Sequence, residues 1–213
     1  MLDSQNPVAC GGVVIFNLDK ASMDSKTDLK LKHDLVLKGG RVIDPMQGLD
    51  AVRDIAFSGG RVSAVVESLD GATAKRVEEV SGKIISPGLL DLHTHVYWGG
   101  TGLGVKAEPV ARRSGTTTFI DAGSAGAGNY AGFQSFIADP TPLNVFGFLN
   151  ISFAGICGFS RTTPNIFPEC EDIRLLDTAE CVRTAREYAH SVVGIKVRIG
   201  RYASGNAGLI PLQ

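Results

Sequence analysis

Residues Ile84 to Gly100, which read IISPGLLDLHTHVYWGG, carry the strongest structural signal in this chain. An apolar entry passes through Ser86-Pro87-Gly88 into a short strand that bears Asp91, His93 and His95 at a spacing of two. Side chains at i, i+2 and i+4 of a strand point to one face, so both imidazoles and the carboxylate are expected on the same side. Histidine is a common ligand of divalent metals, and the pattern therefore favours a metal site. A pair of hydrogen-bonded surface histidines is the alternative.

The overall composition shows no strong charge bias. The 213 residues include 21 basic and 22 acidic side chains, which predicts neither a nucleic-acid partner nor an anionic membrane partner. The length suits one large domain or two small ones. The four cysteines form no C-x-x-C pair and no apolar run approaches the ~20 residues of a membrane span, so we expect reduced thiols and a cytoplasmic protein.

The segment before the histidines divides into an extension and a β module. Residues 1–32 show no clear periodicity and are expected to form a poorly ordered N-terminal extension, with Met1 and Met23 both left open as the start of translation. Residues 33–86 contain short apolar runs separated by glycine and proline, including Gly39-Gly40 and Ser58-Gly59-Gly60, which predict tight turns. We therefore predict a small β-sandwich module with strands over 34–38, 41–43, 53–57 and 61–66.

After Pro87 the pattern changes to alternating strands and helices. Apolar strands that alternate with helices indicate a parallel sheet covered by helices, with polar residues at the strand ends where α/β barrels place their active sites. Beyond the histidine strand, the predicted strands cover 116–121, 143–153 and 192–199, and the predicted helices cover 105–113, 130–137 and 177–191.

Lys196 interrupts the last apolar strand. An ammonium group buried without a partner tends to lose its proton, and the neutral amine can add CO₂ to give a carbamate, an oxygen ligand that can bridge two metals. The alternative is a lysine paired with a carboxylate such as Asp91 or Asp121. The H-x-H motif about a hundred residues upstream favours the carbamate.

Together these motifs resemble the amidohydrolase superfamily. The similarity rests on Pro87–His95 after a β module and on Gly194–Arg198 in the fourth strand. The runs Asp121–Asn129 and Phe148–Ser152 look closest to the amidohydrolase/deacetylase group, relatives of dihydroorotases. It implies a (β/α)₈ barrel with a binuclear centre, usually of zinc but open to other divalent ions. His93 and His95 would ligate one metal and a carbamate on Lys196 would bridge both. Such enzymes hydrolyse amide, cyclic amide or ester bonds of small molecules with a metal-activated hydroxide.

The sequence departs from this family in a way that bears on activity. The family takes two further histidines from the fifth and sixth strands and a proton-shuttling aspartate from the eighth, whereas the other histidines here, His33 and His190, match neither position. A complete barrel needs about 250 residues, and far fewer follow Pro87. We therefore expect residues 87–213 to form the first half of the barrel, strands one to four, truncated and inactive alone. A non-catalytic amidohydrolase-like scaffold is the alternative, and a homo-oligomer is among the expected states.

Several polar residues remain as candidate site residues. Asp91 is a candidate for orienting the metal ligands, and candidates for substrate contact are Tyr97, Asn150 and Arg198. No catalytic acid or base is assigned. Nucleotide binding by the glycine-rich segment 123–128 is disfavoured because the segment has no G-x-G-x-x-G register and no phosphate-loop lysine. Ser124 is disfavoured as a nucleophile because G-x-S-x-G flanks are absent.

Overall fold

The computed structural model describes residues 32–70, 74–160, 162 and 167–213, together with the backbone of 8–10 and 13–15. The chain divides into two compact units, Met1–Leu89 with Arg112–Thr117 and Leu90–Ala111 with Thr118–Gln213. Most of residues 1–32, the predicted extension, lie outside the described residues, so their predicted poor order stays a prediction. Within the described part, no helix is both long and apolar enough to span a bilayer.

The first unit is built on a β-sheet, which agrees with the predicted β character of this region. Its described strands follow the order β1-β2-β7-β3-β4-β5, with β6 paired to β3. Leu37, Ile55 and Val80 are among the apolar side chains buried in its core. The strands are β1 (Val8–Cys10), β2 (Val13–Ile15), β3 (His33–Asp44), β4 (Leu49–Ser58), β5 (Arg61–Val66), β6 (Ala74–Glu79) and β7 (Ile84–Ile85).

Of the two predicted glycine turns in this unit, one is wrong. The Gly39-Gly40 pair does not reverse the chain, because β3 continues through it with a register shift against β4 between Leu37 and Gly40. Gly39 has a φ of 73°, as a bulge residue requires, so the pair bends the strand instead of ending it. The turn at Gly59-Gly60 is confirmed, since both residues have positive φ and join β4 to β5 as an antiparallel hairpin.

The second sheet alternates with helices, as predicted. Its described strands are adjacent in chain order, β8-β9-β10-β11. The pairs β9–β10 and β10–β11 are parallel. The elements are β8 (Leu89–Thr94), α1 (Ala107–Ser114), β9 (Thr116–Asp121), α2 (Tyr130–Phe133, continued by a π-helical turn over Gln134–Ala138), β10 (Asn144–Asn150), α3 (Thr178–Glu187) and β11 (Val192–Lys196).

The strand order separates a barrel from an open doubly wound sheet. A doubly wound sheet reverses its strand order at a switch point, whereas a (β/α)₈ barrel adds each strand beside the previous one. The described strands follow the second rule, so the sheet is a β/α-barrel segment of four strands. The large side chains buried in the core of this unit are Val96, Phe119, Tyr130, Phe133 and Leu149.

The structure corrects several element boundaries. The strand predicted over 143–153 ends at Asn150, because the Asn150 Oδ1 atom accepts a hydrogen bond from the Ser152 amide at 2.9 Å and turns the chain. Likewise, β11 ends at Lys196 instead of residue 199. Asp177, the first residue of the predicted helix, is the N-cap of α3, and its carboxylate accepts from the Glu180 amide at 3.0 Å. That helix ends at Glu187 and not at residue 191.

Candidate metal centre

The two histidines of the H-x-H motif lie side by side at the carboxyl end of β8. Their ring centroids are 5.7 Å apart with an interplanar angle of 81°. His93 is exposed and His95 is half-buried. The structure thus brings the two imidazoles together as the strand periodicity predicted, although β8 itself ends at Thr94, one residue before His95.

Ser124 fixes the orientation of the His95 ring. The Nδ1 atom of His95 lies 2.8 Å from the Ser124 hydroxyl oxygen. Ser124 is itself 1% exposed, and its backbone amide donates to Asp121 Oδ1 at 2.6 Å. The other oxygen of Asp121 accepts from the amide of Val96, the residue after His95, at 2.8 Å. The buried Asp121 carboxylate therefore binds the backbone next to His95 and the backbone of Ser124 at the same time.

The environment of His95 as a whole favours its neutral form. Burial is the main cause that lowers the pKa of its imidazole, and the negative charge of Asp121 acts in the opposite direction. His93, Lys196 and Arg198 lower this pKa further. A neutral imidazole is the form that ligates a metal, so the environment of His95 suits a ligand.

Lys196 approaches this cluster from β11 along the backbone of Gly123. A Cβ atom added to Gly123 would lie 2.6 Å from both Cβ and Cγ of Lys196, so the lysine stem packs directly on the glycine. The ion pairs formed among the described residues do not include Lys196. Both oxygens of Asp121 accept backbone amides, and Asp91 Oδ1 accepts from the His93 amide at 3.1 Å. The structure thus does not show the lysine–carboxylate pair that was the alternative.

A buried carboxylate that sequence reasoning missed lies beside β10 and β11. The side chain of Glu169 is 3% exposed. Its Oε2 atom accepts from Asn150 Nδ2 at 3.0 Å, and its Oε1 atom lies 3.7 Å from Arg198 Nη1. Burial raises the pKa of this carboxyl, while Asn150 and the positive charges of Arg198 and Lys196 act to lower it. Glu169 follows no recognisable motif, so only the folded structure identifies it.

All three predicted substrate contacts have partners within the chain. Asn150 is 0% exposed, and its amide nitrogen also donates to the Gly123 carbonyl at 2.9 Å. Tyr97 donates its hydroxyl to the Asn129 carbonyl at 3.1 Å and packs its ring against Phe133. These contacts favour structural roles for Asn150 and Tyr97. Arg198 is half-buried, and its guanidinium lies beside the ring of Phe159 and 3.7 Å from Glu169 Oε1.

The donor set fits a metal only in part. Two adjacent imidazoles, one of them oriented by Ser124, are suitable nitrogen donors for zinc. Lys196 would add oxygen donors as a carbamate. Across the described ranges, however, His, Cys, Asp and Glu side chains form no group of three or more that could hold a metal ion. Among the described residues, the ion would be held by His93 and His95 and by Lys196 in its carbamate form.

A Gly123→Ala substitution is expected to disturb this centre, because its Cβ would overlap the Lys196 stem. Gly123 also has a φ of 81°, which strains any other residue. We expect a loss of about 2–5 kcal/mol in the free energy of unfolding, from overpacking and backbone strain together. The measurement is denaturant unfolding of the two proteins.

Gly99→Ala is the matched control for this substitution. Gly99 has nearly the same φ, 84°, but nothing lies within 4 Å of its added Cβ. Gly99→Ala should lose only the backbone component, about 1–2 kcal/mol. Equal losses in the two variants would show that Lys196 does not pack on Gly123 as described.

Curated relatives support the family indicated by the motifs. The chain is 35% identical over 167 residues to a deacetylase of Brucella anthropi, covering 77% of this chain and 40% of that protein. It is 32% identical over 161 residues to a deacetylase of Agrobacterium fabrum, covering 75% of this chain and 38% of the relative. The chain thus spans well under half the length of these relatives. No protein-family model matches it.

Solved structures show the same relationship. A crystal structure of an adenine deaminase superimposes with a TM-score of 0.72 at 29% identity, over 85% of this chain and 45% of that one. A dihydroorotase superimposes with a TM-score of 0.69 at 29% identity, over 84% and 46%. These neighbours have the β/α-barrel fold, of which this chain matches less than half. The chain belongs to the amidohydrolase superfamily.

Proposed function

We propose that this chain supplies His93, His95 and Lys196 to the metal centre of a hydrolase that acts on an amide, cyclic amide or ester bond of a small molecule. The observation that carries the proposal is the oriented His95 ring beside His93, with Lys196 packed on the adjacent Gly123. The names of the relatives, deacetylase and dihydroorotase, support hydrolysis of an acyl bond.

Zinc is the proposed metal, because imidazole and oxygen donors suit it and because the superfamily is generally metal-dependent. A bound zinc would polarise the scissile carbonyl and lower the pKa of a water molecule to near neutrality. The chain's own residues would bind the ion and the substrate. His93 and His95 hold the ion, and the Arg198 guanidinium, which carries only donors, would bind a carbonyl or carboxylate oxygen of the substrate.

Lys196 would take part as a carbamate. After its ammonium loses a proton to solvent, the amine nitrogen would bond to the carbon of CO₂ and release a second proton, which leaves an anionic oxygen ligand on the side chain. The exposed edge of the centre gives CO₂ access, since Lys196 is only half-buried. The negative charge is stabilised by a cation, so the modification and the metal depend on each other.

We expect Lys196 to be carboxylated only when metal is present. Protein incubated with zinc and ¹³C-bicarbonate should show a carbamate signal in ¹³C NMR, and protein incubated with bicarbonate alone should not. Lys196→Ala removes the signal, and Lys38→Ala is a matched control because Lys38 pairs with Asp54 at 3.8 Å in the other unit. A zinc-dependent signal that survives in Lys196→Ala would remove Lys196 from the centre.

We further propose that the four described barrel strands are insufficient for hydrolysis at an enzymatic rate. Binuclear chemistry needs more ligands than two imidazoles and one carbamate, and no third acidic or sulfur ligand joins them among the residues described. This partial ligand set is also what favours the second candidate function, a non-catalytic scaffold with the same fold.

Complementation separates the two candidates. Residues 1–213 would be co-expressed with the part of the Brucella anthropi deacetylase that the chain does not match. An enzyme half should then restore zinc-dependent hydrolysis of N-acetyl amino acids, of acetyl esters or of dihydroorotate, and His93→Ala with His95→Ala should abolish it. A stable complex that forms equally well with and without zinc, and that hydrolyses none of these substrates, would favour the scaffold.

A further inference from the structure

We propose that Ser124 is a positioning residue that selects Nε2 of His95 as the metal-ligating nitrogen. The proposal rests on the proposed metal centre for its effect on metal affinity, but the ring orientation that it describes stands apart from any metal. A histidine can ligate through either ring nitrogen, and the choice depends on the hydrogen bond that the other nitrogen makes.

The Ser124 hydroxyl is in direct contact with the His95 ring. Ser124 Oγ lies 2.8 Å from His95 Nδ1, a full hydrogen bond. A nitrogen engaged in this way has its lone pair or its proton committed to the hydroxyl. Nδ1 is therefore blocked as a ligand, and Nε2 is left for a cation. With a cation on Nε2, Nδ1 carries the proton and donates it to Ser124 Oγ.

The backbone of Ser124 is held on both sides. Ser124 is 1% exposed, its amide donates to Asp121 Oδ1 at 2.6 Å, and its carbonyl accepts from the Ile156 amide at 3.0 Å. The other oxygen of Asp121, Oδ2, accepts from the Val96 amide at 2.8 Å.

Asp121 therefore couples the two partners. It is 1% exposed, and it bridges the serine and the residue that follows His95. A charged carboxylate that accepts two backbone amides forms strong, short bonds, so it sets the separation between the His95 backbone and the Ser124 hydroxyl. The ring has one defined orientation as a consequence.

The chain offers a matched control for removing this hydroxyl. Ser152 is 0% exposed, and in the described part of the chain its Oγ atom has no hydrogen-bond partner. Ser152→Ala thus removes a buried serine hydroxyl without removing a contact to histidine. Ser124→Ala makes the same chemical change and removes the His95 partner.

The test uses protein labelled with ¹⁵N only in histidine, which gives four residues to resolve, and a His95→Gln variant assigns the signals. Without metal, Ser124→Ala should shift the His95 Nδ1 resonance and Ser152→Ala should not. Unchanged Nδ1 in Ser124→Ala would overturn the inference whether or not zinc binds. If the protein associates, the same ¹⁵N resonances would be measured by solid-state NMR.

The second arm adds zinc. In wild-type protein the zinc-dependent change should fall on Nε2 of His95, and zinc affinity should fall about 10–100-fold in Ser124→Ala, as for other partners of metal-ligating histidines. Ser152→Ala should bind zinc as wild type does. A zinc-dependent change on Nδ1 would overturn the inference even if Ser124→Ala failed to fold. Absence of any zinc effect on His95, with the Nδ1 shift still present, would instead count against the proposed function alone.

Discussion

Replacement of both His93 and His95 by alanine is expected to lower the zinc affinity of this chain at least about 100-fold, because loss of a partner of a ligating histidine alone costs 10–100-fold. The two rings are adjacent and His95 is oriented by Ser124, so they form the larger part of the proposed site. Zinc affinity would be measured by competition with a chromogenic chelator.

His190→Ala is the control for this result. His190 is exposed beyond the end of α3, near the ring of Tyr188 at 6.3 Å between centroids, and it lies apart from the strand-end cluster. Its removal should leave zinc affinity unchanged. Equal weakening in the two proteins would mean that zinc binds histidines without regard to the fold, and the assignment of the centre would be wrong.

Residues 1–213 expressed as such are expected to associate instead of forming a stable monomer. The outer strands β8 and β11 each expose apolar side chains: Leu92 is 68% exposed and Ile195 is 47% exposed. Each also has an unpaired edge in the described sheet. Unpaired edges and exposed apolar patches drive association. Analytical ultracentrifugation should show oligomers at micromolar concentration.

Charge at these edges should oppose association. Leu92→Glu with Ile195→Glu is expected to shift the sedimentation profile toward monomer, because charged side chains protect strand edges. Met46→Glu is the control, since Met46 is 97% exposed but lies in a turn of the first unit. A wild-type monomer with a sharp cooperative unfolding transition would show that the four strands are self-sufficient.

The same chain is expected to show no hydrolysis at an enzymatic rate. General acid–base assistance is typically worth about 10²–10⁴-fold, and neither the sequence nor the described site assigns a group to it. Zinc-dependent hydrolysis of N-acetyl amino acids and dihydroorotate by residues 1–213 alone, lost in Lys196→Ala, would contradict this expectation.

Periodicity predicted the elements well where it reflects burial. The strand Thr116–Asp121 has the predicted bounds, because its β-branched and apolar residues are buried between helices and neighbouring strands. The Asp177 cap was also predictable, since it depends only on local hydrogen bonding. The Gly39-Gly40 turn was not, because a glycine with positive φ serves a bulge as well as a hairpin, and the pairing of β3 with distant strands decides between them.

The site shows the same division between local and long-range information. The spacing of His93 and His95 predicted their proximity because it follows from one strand. Ser124 and Glu169 act through residues 29 and 19 positions away, so no local pattern identifies them. Asn150 shows the same limit from the other side: its place at a strand end predicts a ligand contact, but only the folded structure shows that its amide nitrogen donates to Glu169 and to the backbone.

X-ray absorption at the zinc edge of the zinc-loaded protein tests the central claim most directly. Imidazole scattering from His93 and His95 is expected at about 2.0–2.1 Å, together with oxygen ligands. In His93→Ala with His95→Ala the imidazole contribution should disappear. A wild-type spectrum dominated by sulfur at about 2.3 Å, or imidazole scattering that persists in the double variant, would contradict it.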